Sequence, residues 1–526
     1  MANVITRRSF MKAGMQATVA TGLASLMNLP FFLQRAIAEG SVGANGKKLL
    51  FIFLRGGNDG VNNIIPINDP GYAYFRPTIG LPKDPAVLYD AATGQADTPG
   101  IIQPYAIRLG NGFAALNPNL YDLAPLFNTG HLALLHRTAY RSQSRSHFDS
   151  EKYWEKAADG TSANRGIDDG VWYRTIVESG WNRRHALSGV SVQANMPQSL
   201  RGEQPLTNLR SVNGYNVLGV SGATATTNGV TVAADRLKLL NAIDAAIARP
   251  YPLKDNRELV LGLTGAFRDT LDIFQDPAYG FGRNDFVDTD GKHLFPINAA
   301  SDEKGLGGGA YGFFQNIKSA AQVLSSTDAV IAGTEIGGFD THTAQVTVGS
   351  PHLGGHANLQ RRLGWAFYAL WKFFSNPAYS PNVRWEDVVV LTMSEFGRTS
   401  AENGSVGTDH AEASVMYVAG GGIKGGVYGC DTNPAPFVGT NWTPCSFVSG
   451  VAQKDGSLFA ANNNVGYLKR AIDYRSVIGE IIRDHLGATQ AQLSRIIPAY
   501  ANESVEHLKS GGMVSTTGIL GELGLI

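Results

Sequence analysis

Runs of consecutive apolar residues that end abruptly in polar clusters recur along this chain. Residues 47–55 read K-K-L-L-F-I-F-L-R and run into Gly56-Gly57-Asn58-Asp59-Gly60. Residues 131–136 (H-L-A-L-L-H) lead to a serine-rich stretch at 142–147, and residues 328–336 (D-A-V-I-A-G-T-E-I) lead to Gly337-Gly338-Phe339-Asp340-Thr341-His342. Residues 388–393 (V-V-V-L-T-M) lead to Ser394-Glu395-Phe396-Gly397-Arg398-Thr399, and residues 414–419 lead to three glycines. These runs lack the alternation of a half-exposed strand. They predict strands covered on both faces, as in a parallel sheet between helical layers. Leu359, Leu363, Phe367, Leu370 and Phe374 recur at spacings of three or four and predict a helix over 358–374. Helices are predicted on the same grounds over 234–247, 255–274 and 476–486. The alternation points to an α/β domain with its ligand site beyond the carboxyl ends of the strands. Residues 155–310, richer in helix and irregular loop, read as an insertion or cap over that site.

The first 38 residues have a different character. Thr6-Arg7-Arg8-Ser9-Phe10-Met11-Lys12 precedes a mildly apolar run over 13–33, and Ala36-Ile37-Ala38 supplies a small-x-small cleavage pattern. The order of these features is that of a twin-arginine export signal, and it predicts a mature chain beginning at Glu39 in the periplasm or outside the cell. The apolar run is too interrupted to persist as a membrane span. Loss of Arg7, Arg8, Lys12 and Arg35 from 44 basic residues leaves 40 against 44 acids, which argues against a nucleic-acid surface. Residues 39–526 exceed one simple core and predict one large α/β domain with insertions, or two domains. The two cysteines, Cys430 and Cys445, predict one disulfide in an oxidising compartment.

The chemistry-bearing residues follow the predicted strands. Asp340 and His342 can converge on a metal, or can close a turn. Glu395 and Arg398 can form a buried ion pair or face a ligand. Thr408-Asp409-His410 is equally open, and Asp59 can belong to a turn. Their common position after successive strands favours one shared rim, where carboxylates and imidazoles suit Zn²⁺, Mn²⁺, Mg²⁺ or Ca²⁺. Ser146 with Asp149 three residues on fits a capping box opening a helix, and a helix N-terminus also suits an anion and a serine nucleophile. No G-x-S-x-G elbow, H-E-x-x-H or P-loop pattern is present in the sequence.

With F-L-R-G-G-N-D-G-V-N (53–62), S-R-S-H-F-D (144–149), G-G-F-D-T-H (337–342), S-E-F-G-R-T (394–399) and G-T-D-H (407–410), the chain resembles the DUF1501 family of exported bacterial proteins. That resemblance implies an alkaline phosphatase-like three-layer sandwich. It also implies a metal-dependent hydrolase of phosphate or related anionic esters, acting on a small molecule or polymer. Asp59, Asp340, His342, Glu395, Asp409 and His410 then become metal-site residues, Ser146 the nucleophile, and Arg145 or Arg398 the partner of the anionic oxygens. Phe396 stands where the superfamily carries a metal histidine, which reduces the expected metal count. The alternative is a non-catalytic envelope protein that binds a polysaccharide or a protein partner.

Overall fold

A computed structural model describes residues 42–83, 104–109, 114–210, 280–429, 444–453, 467–500 and 522–526, less residues 162–165 and a few single positions or pairs within these ranges, together with scattered positions between 226 and 274. The export-signal segment, nearly all of the helices expected over 234–247 and 255–274, and Cys430 of the expected disulfide lie outside the described residues.

Nine strands form the main sheet: β1 (Lys48–Leu54), β2 (Leu132–Ala139), β3 (Gly189–Val192), β4 (Thr207–Leu209), β5 (Ile331–Ile336), β6 (Val388–Met393), β7 (Ser414–Gly420), β8 (Gly426–Tyr428) and β9 (Ile472–Asp473). Their spatial order is β8-β2-β7-β6-β1-β5-β3-β4, with β9 sharing the outer edge of β2 beyond β8. Six pairings are parallel and two, β6–β7 and β7–β2, are antiparallel, so the sheet is mixed but mainly parallel. Strands β3 and β4, within 155–310, belong to this sheet.

All seven residues of β1 are buried, as the apolar run over 49–54 requires of a central strand. Its side chains divide between two cores. Leu50, Ile52 and Leu54 pack in one with α4 (Ala310–Ser326) and α5 (Gly355–Ser375), through residues such as Phe314, Ile317, Leu363 and Phe367. Leu49, Phe51 and Phe53 pack on the other face with Trp154 of α2 (His147–Lys156), Trp172 of α3 (Val171–Glu178), Val477 of α6 (Tyr474–Glu480) and Leu493 of α7 (Gln490–Ile496). A short helix, α1 (Pro70–Phe75), follows β1 in the chain. The result is an α/β fold with helices on both faces of the sheet. Among the described residues no helix is long and apolar enough to cross a membrane.

Register aligns the ends that matter. Leu54 pairs with Ile336 and Phe53 with Met393, so β1, β5 and β6 release their loops at one rim. Loop 55–60, loop 337–345 and loop 394–413 therefore start side by side, as a parallel arrangement dictates.

Candidate metal centre

Asp340 leaves β5 through Gly337-Gly338 and meets the loop after β6. Arg398 fixes it there. The Arg398 guanidinium is buried, donates to the backbone carbonyls of Gly57 (2.9 Å), Thr408 (3.0 Å) and Phe339 (3.2 Å) and to that of Gly56, and also donates to Asp340 Oδ1. Burial works to raise the Asp340 pKa. Hydrogen bonding and charge from Arg398, with His342 and His410, outweigh it and hold the carboxyl below its ordinary value.

Three histidine rings gather around that oxygen. His342 Nε2 lies 3.1 Å from Asp340 Oδ1, His410 Nε2 3.3 Å, and His147 Nε2 3.6 Å. One ligand atom from each of His147, Asp340 and His410 falls within a mutual distance of 4.8 Å. The other nitrogen of every ring faces an oxygen acceptor. His147 Nδ1 bonds Glu395 Oε1 at 2.9 Å, His342 Nδ1 bonds Asp409 Oδ1 at 3.0 Å, and His410 Nδ1 bonds the Arg145 carbonyl at 3.0 Å. With a proton on each Nδ1 for these acceptors, each Nε2 is left facing Asp340 Oδ1. A carboxylate or carbonyl behind an imidazole is the usual support of a metal-ligating histidine.

The donor set fits a divalent ion on two further observations. His342 Nε2 and His410 Nε2 stand 2.9 Å apart, so two rings protonated on Nδ1 would set their lone pairs against each other, whereas a proton on either Nε2 bridges them. A cation between them removes that repulsion as well; ligand atoms about 2.0–2.1 Å from a tetrahedral zinc ion lie about 3.3–3.4 Å apart, so the two rings would open slightly to take it. In addition, His147 Nε2 and Glu395 Oε2 are buried atoms with no hydrogen-bond partner among the described residues. Burial and the charges of Arg398 and His147 lower the His410 pKa, which favours the neutral, ligating ring. The hydrogen bond to Glu395 raises that of His147 against the opposing effect of burial.

Helix α2 delivers His147. The helix begins where the capping pattern predicts, with Ser146 at its N-cap in extended conformation (φ −85°, ψ 126°), but the Ser146 side chain makes no capping bond and is exposed. The expected capping box is therefore not formed. Ser150, one turn in, donates to the Glu395 carbonyl and bonds Tyr140 Oη at 2.7 Å, pinning the helix to the end of β6. Glu395 is fully buried and also accepts from Gly56 N at 2.6 Å. Phe396 is fully buried beneath the rings, its centroid 4.8 Å from that of His147 and 4.6 Å from that of His410. A side chain at Gly57, where φ is +77°, would place Cβ 2.4 Å from Phe396, so only glycine lets β1 end against this ring.

The sequence-derived residues thus fall into distinct places. Asp340, His342 and His410 meet directly, Glu395 stands behind His147, and Asp409 stands behind His342. Asp59 is fully buried and engaged elsewhere: Arg76, just after α1, grips it at 2.7 and 2.9 Å, and Gln345 Nε2 donates to it at 2.6 Å. Burial pushes the Asp59 pKa up, yet Arg76 outweighs it and keeps the carboxyl ionised. Arg398 is buried, whereas Arg145 is exposed, with its guanidinium 4.8 Å above the Tyr467 ring. His147, Arg76 and Gln345 were not singled out from the sequence. His147 alone carried a signal there, lying inside S-R-S-H-F-D.

A family model described as a protein of unknown function (DUF1501) matches residues 320–437. That span holds Asp340, His342, Glu395, Arg398, Asp409 and His410 but neither His147 nor Asp59. No curated protein matches the chain.

Proposed function

We propose that this protein is an exported, metal-dependent hydrolase of phosphate or related anionic esters, built on a single divalent ion. The observation that carries the reading is the convergence of three imidazole Nε2 atoms on Asp340 Oδ1, each ring backed through Nδ1 by an oxygen acceptor. His147, Asp340, His342 and His410 would hold the ion. An imidazole-rich set favours Zn²⁺ over Mg²⁺ or Ca²⁺, which prefer all-oxygen ligands. The ion would supply Lewis acidity to an ester oxygen. The chain's own residues supply the rest. Exposed Arg145, tied to the centre through its carbonyl, pairs with the anionic oxygens of a substrate. Ser146, with its hydroxyl free of any capping bond, stands one residue from a ligand and is the candidate nucleophile.

A second reading is a metal-stabilised binding protein for an envelope polysaccharide or protein partner. Saturation of Asp59 by Arg76 and the burial of Phe396 under the rings favour it, because both withdraw donors from a two-metal design. Turnover separates the two. The Zn²⁺-loaded protein is expected to hydrolyse members of a phosphomonoester and phosphodiester panel, with Asp340→Asn reducing the rate at least 100-fold. A fully metal-loaded wild type with no turnover on the panel leaves the binding reading in place of the enzyme.

A further inference from the structure

Two loops supply His342 and His410, and they are held together from below by one side chain. Loop 341–345 carries His342, and loop 405–410 carries Asp409 and His410. Gln345 is fully buried, and its Oε1 accepts from Thr341 Oγ1 and Thr408 Oγ1, both at 2.9 Å. Each threonine immediately precedes a residue of the centre. The amide of Gln345 is oriented from the other side, because Nε2 donates to Asp59 Oδ2 at 2.6 Å. Asp59 in turn is fixed by Arg76, which also donates to the Thr399 and Ser400 carbonyls at 2.7 and 2.8 Å.

The backbone around this clamp is tightly constrained. Gln345 N bonds Val406 O at 2.8 Å, Ala344 N bonds Ser405 O at 3.0 Å, and Thr408 N bonds Thr341 O at 3.1 Å. Ala344 and Val406 adopt left-handed conformations (φ 46° and 57°) at this junction. For residues with a Cβ that geometry costs about 1–2 kcal/mol each, and it persists only where the surroundings over-determine it. A Cβ on Gly407 would lie 2.3 Å from the His342 carbonyl oxygen, so the loops meet backbone to backbone.

We infer that Gln345, oriented by the Asp59–Arg76 pair and acting through Thr341 and Thr408, is a positioning residue that sets the spacing of His342 and His410 for the metal. The inference rests on the metal reading above. Asp59 serves the centre as the anchor of this clamp, and the buried guanidinium supplies the positive charge beside it. A hydrogen bond from Gln345 cannot touch the ion, so its effect is on the geometry of the ligands alone.

The test is a Zn²⁺ titration against a chromophoric chelator for wild type, Gln345→Leu, Thr408→Val and Thr408→Ser, with circular dichroism to verify folding. Gln345→Leu and Thr408→Val are expected to bind Zn²⁺ about 10-fold or more weakly, in the range for supports of metal ligands. Thr408→Ser, which keeps the hydroxyl, is expected to bind within about 3-fold of wild type, below that range. If Gln345→Leu does not fold, the Thr408 pair decides. Wild-type uptake with Thr408→Val equally tight overturns the positioning role alone. A wild type that takes up no Zn²⁺ overturns the metal reading and this inference with it.

Discussion

Arg398 shows how a residue that reads as catalytic can act by organising others. Its guanidinium closes off four backbone carbonyls from three loops before it reaches Asp340. Arg398→Met would leave those buried acceptors unpaired. The expected cost is about 3 kcal/mol or more in urea unfolding, with Zn²⁺ binding lost in parallel. An unchanged unfolding midpoint would show that water replaces the guanidinium. His410→Ala should act differently, abolishing tight Zn²⁺ binding while moving metal-free stability by less than about 1 kcal/mol, since the ring is half-buried and its backbone partner can turn to water. At this scale the sequence revealed Asp340, His342 and His410, because each follows a recognisable apolar run. It did not reveal Gln345 or Arg76. Apart from Thr341, the partners of Gln345 lie far off in the chain, and no spacing rule links Arg76 to Asp59 or Gln345 to Thr408.

Among the elements, the central strands were legible for a simple reason: burial on both faces leaves an unbroken apolar run. The strand expected over 131–136 extends to Ala139. Its last residues, His136-Arg137-Thr138, are polar but buried, and Arg137 takes a positive φ of 61°. Helix α4 was missed because 12 of its 17 residues are buried, including Lys318, Ser319 and Gln322, which blurs the polar stripe that marks a surface helix. Strands β3 and β4 are too short, at four and three residues, to stand out from loops. One contact at the end of α6 invites a direct test. The buried Glu480 carboxylate accepts from the backbone N–H groups of Leu523 (3.0 Å), Gly524 (3.1 Å) and Ile526 (3.2 Å) and from that of Leu525. Arg483 secures the same segment through Glu522 at 2.6 Å. Glu480→Ala should release residues 522–526, seen as rapid amide exchange there, and cost about 2–3 kcal/mol. Retained protection would mean that burial of Leu525 suffices.

For the molecule as a whole, three buried histidines away from the centre make stability depend on pH. Burial lowers the pKa of His136 to about 3 and those of His356 and His485 to about 4, from an ordinary 6.5. Above pH 6.5 these rings are neutral folded or unfolded, so their contribution is fully present. As the pH falls below that value the unfolded chain takes up protons that the folded chain refuses, and stability is lost down to about pH 4. Each residue accounts for about 2 kcal/mol between pH 7 and 5. The urea midpoint should therefore fall clearly over that interval, and a constant midpoint would show that the rings are hydrated. The α/β architecture could be anticipated from where apolar runs stop, and Phe396 already argued for a reduced donor set, whereas the engagement of Asp59 depended on tertiary contacts. Arg76 removes Asp59 from the donors, and Phe396 fills the floor beneath the rings. The central claim is one divalent ion per chain held by His147, Asp340, His342 and His410. Elemental analysis of purified protein, before and after Zn²⁺ reconstitution and desalting, tests it most directly. The account predicts close to one equivalent in wild type and a loss of it in Asp340→Asn. A folded wild type that retains no metal after reconstitution would contradict it.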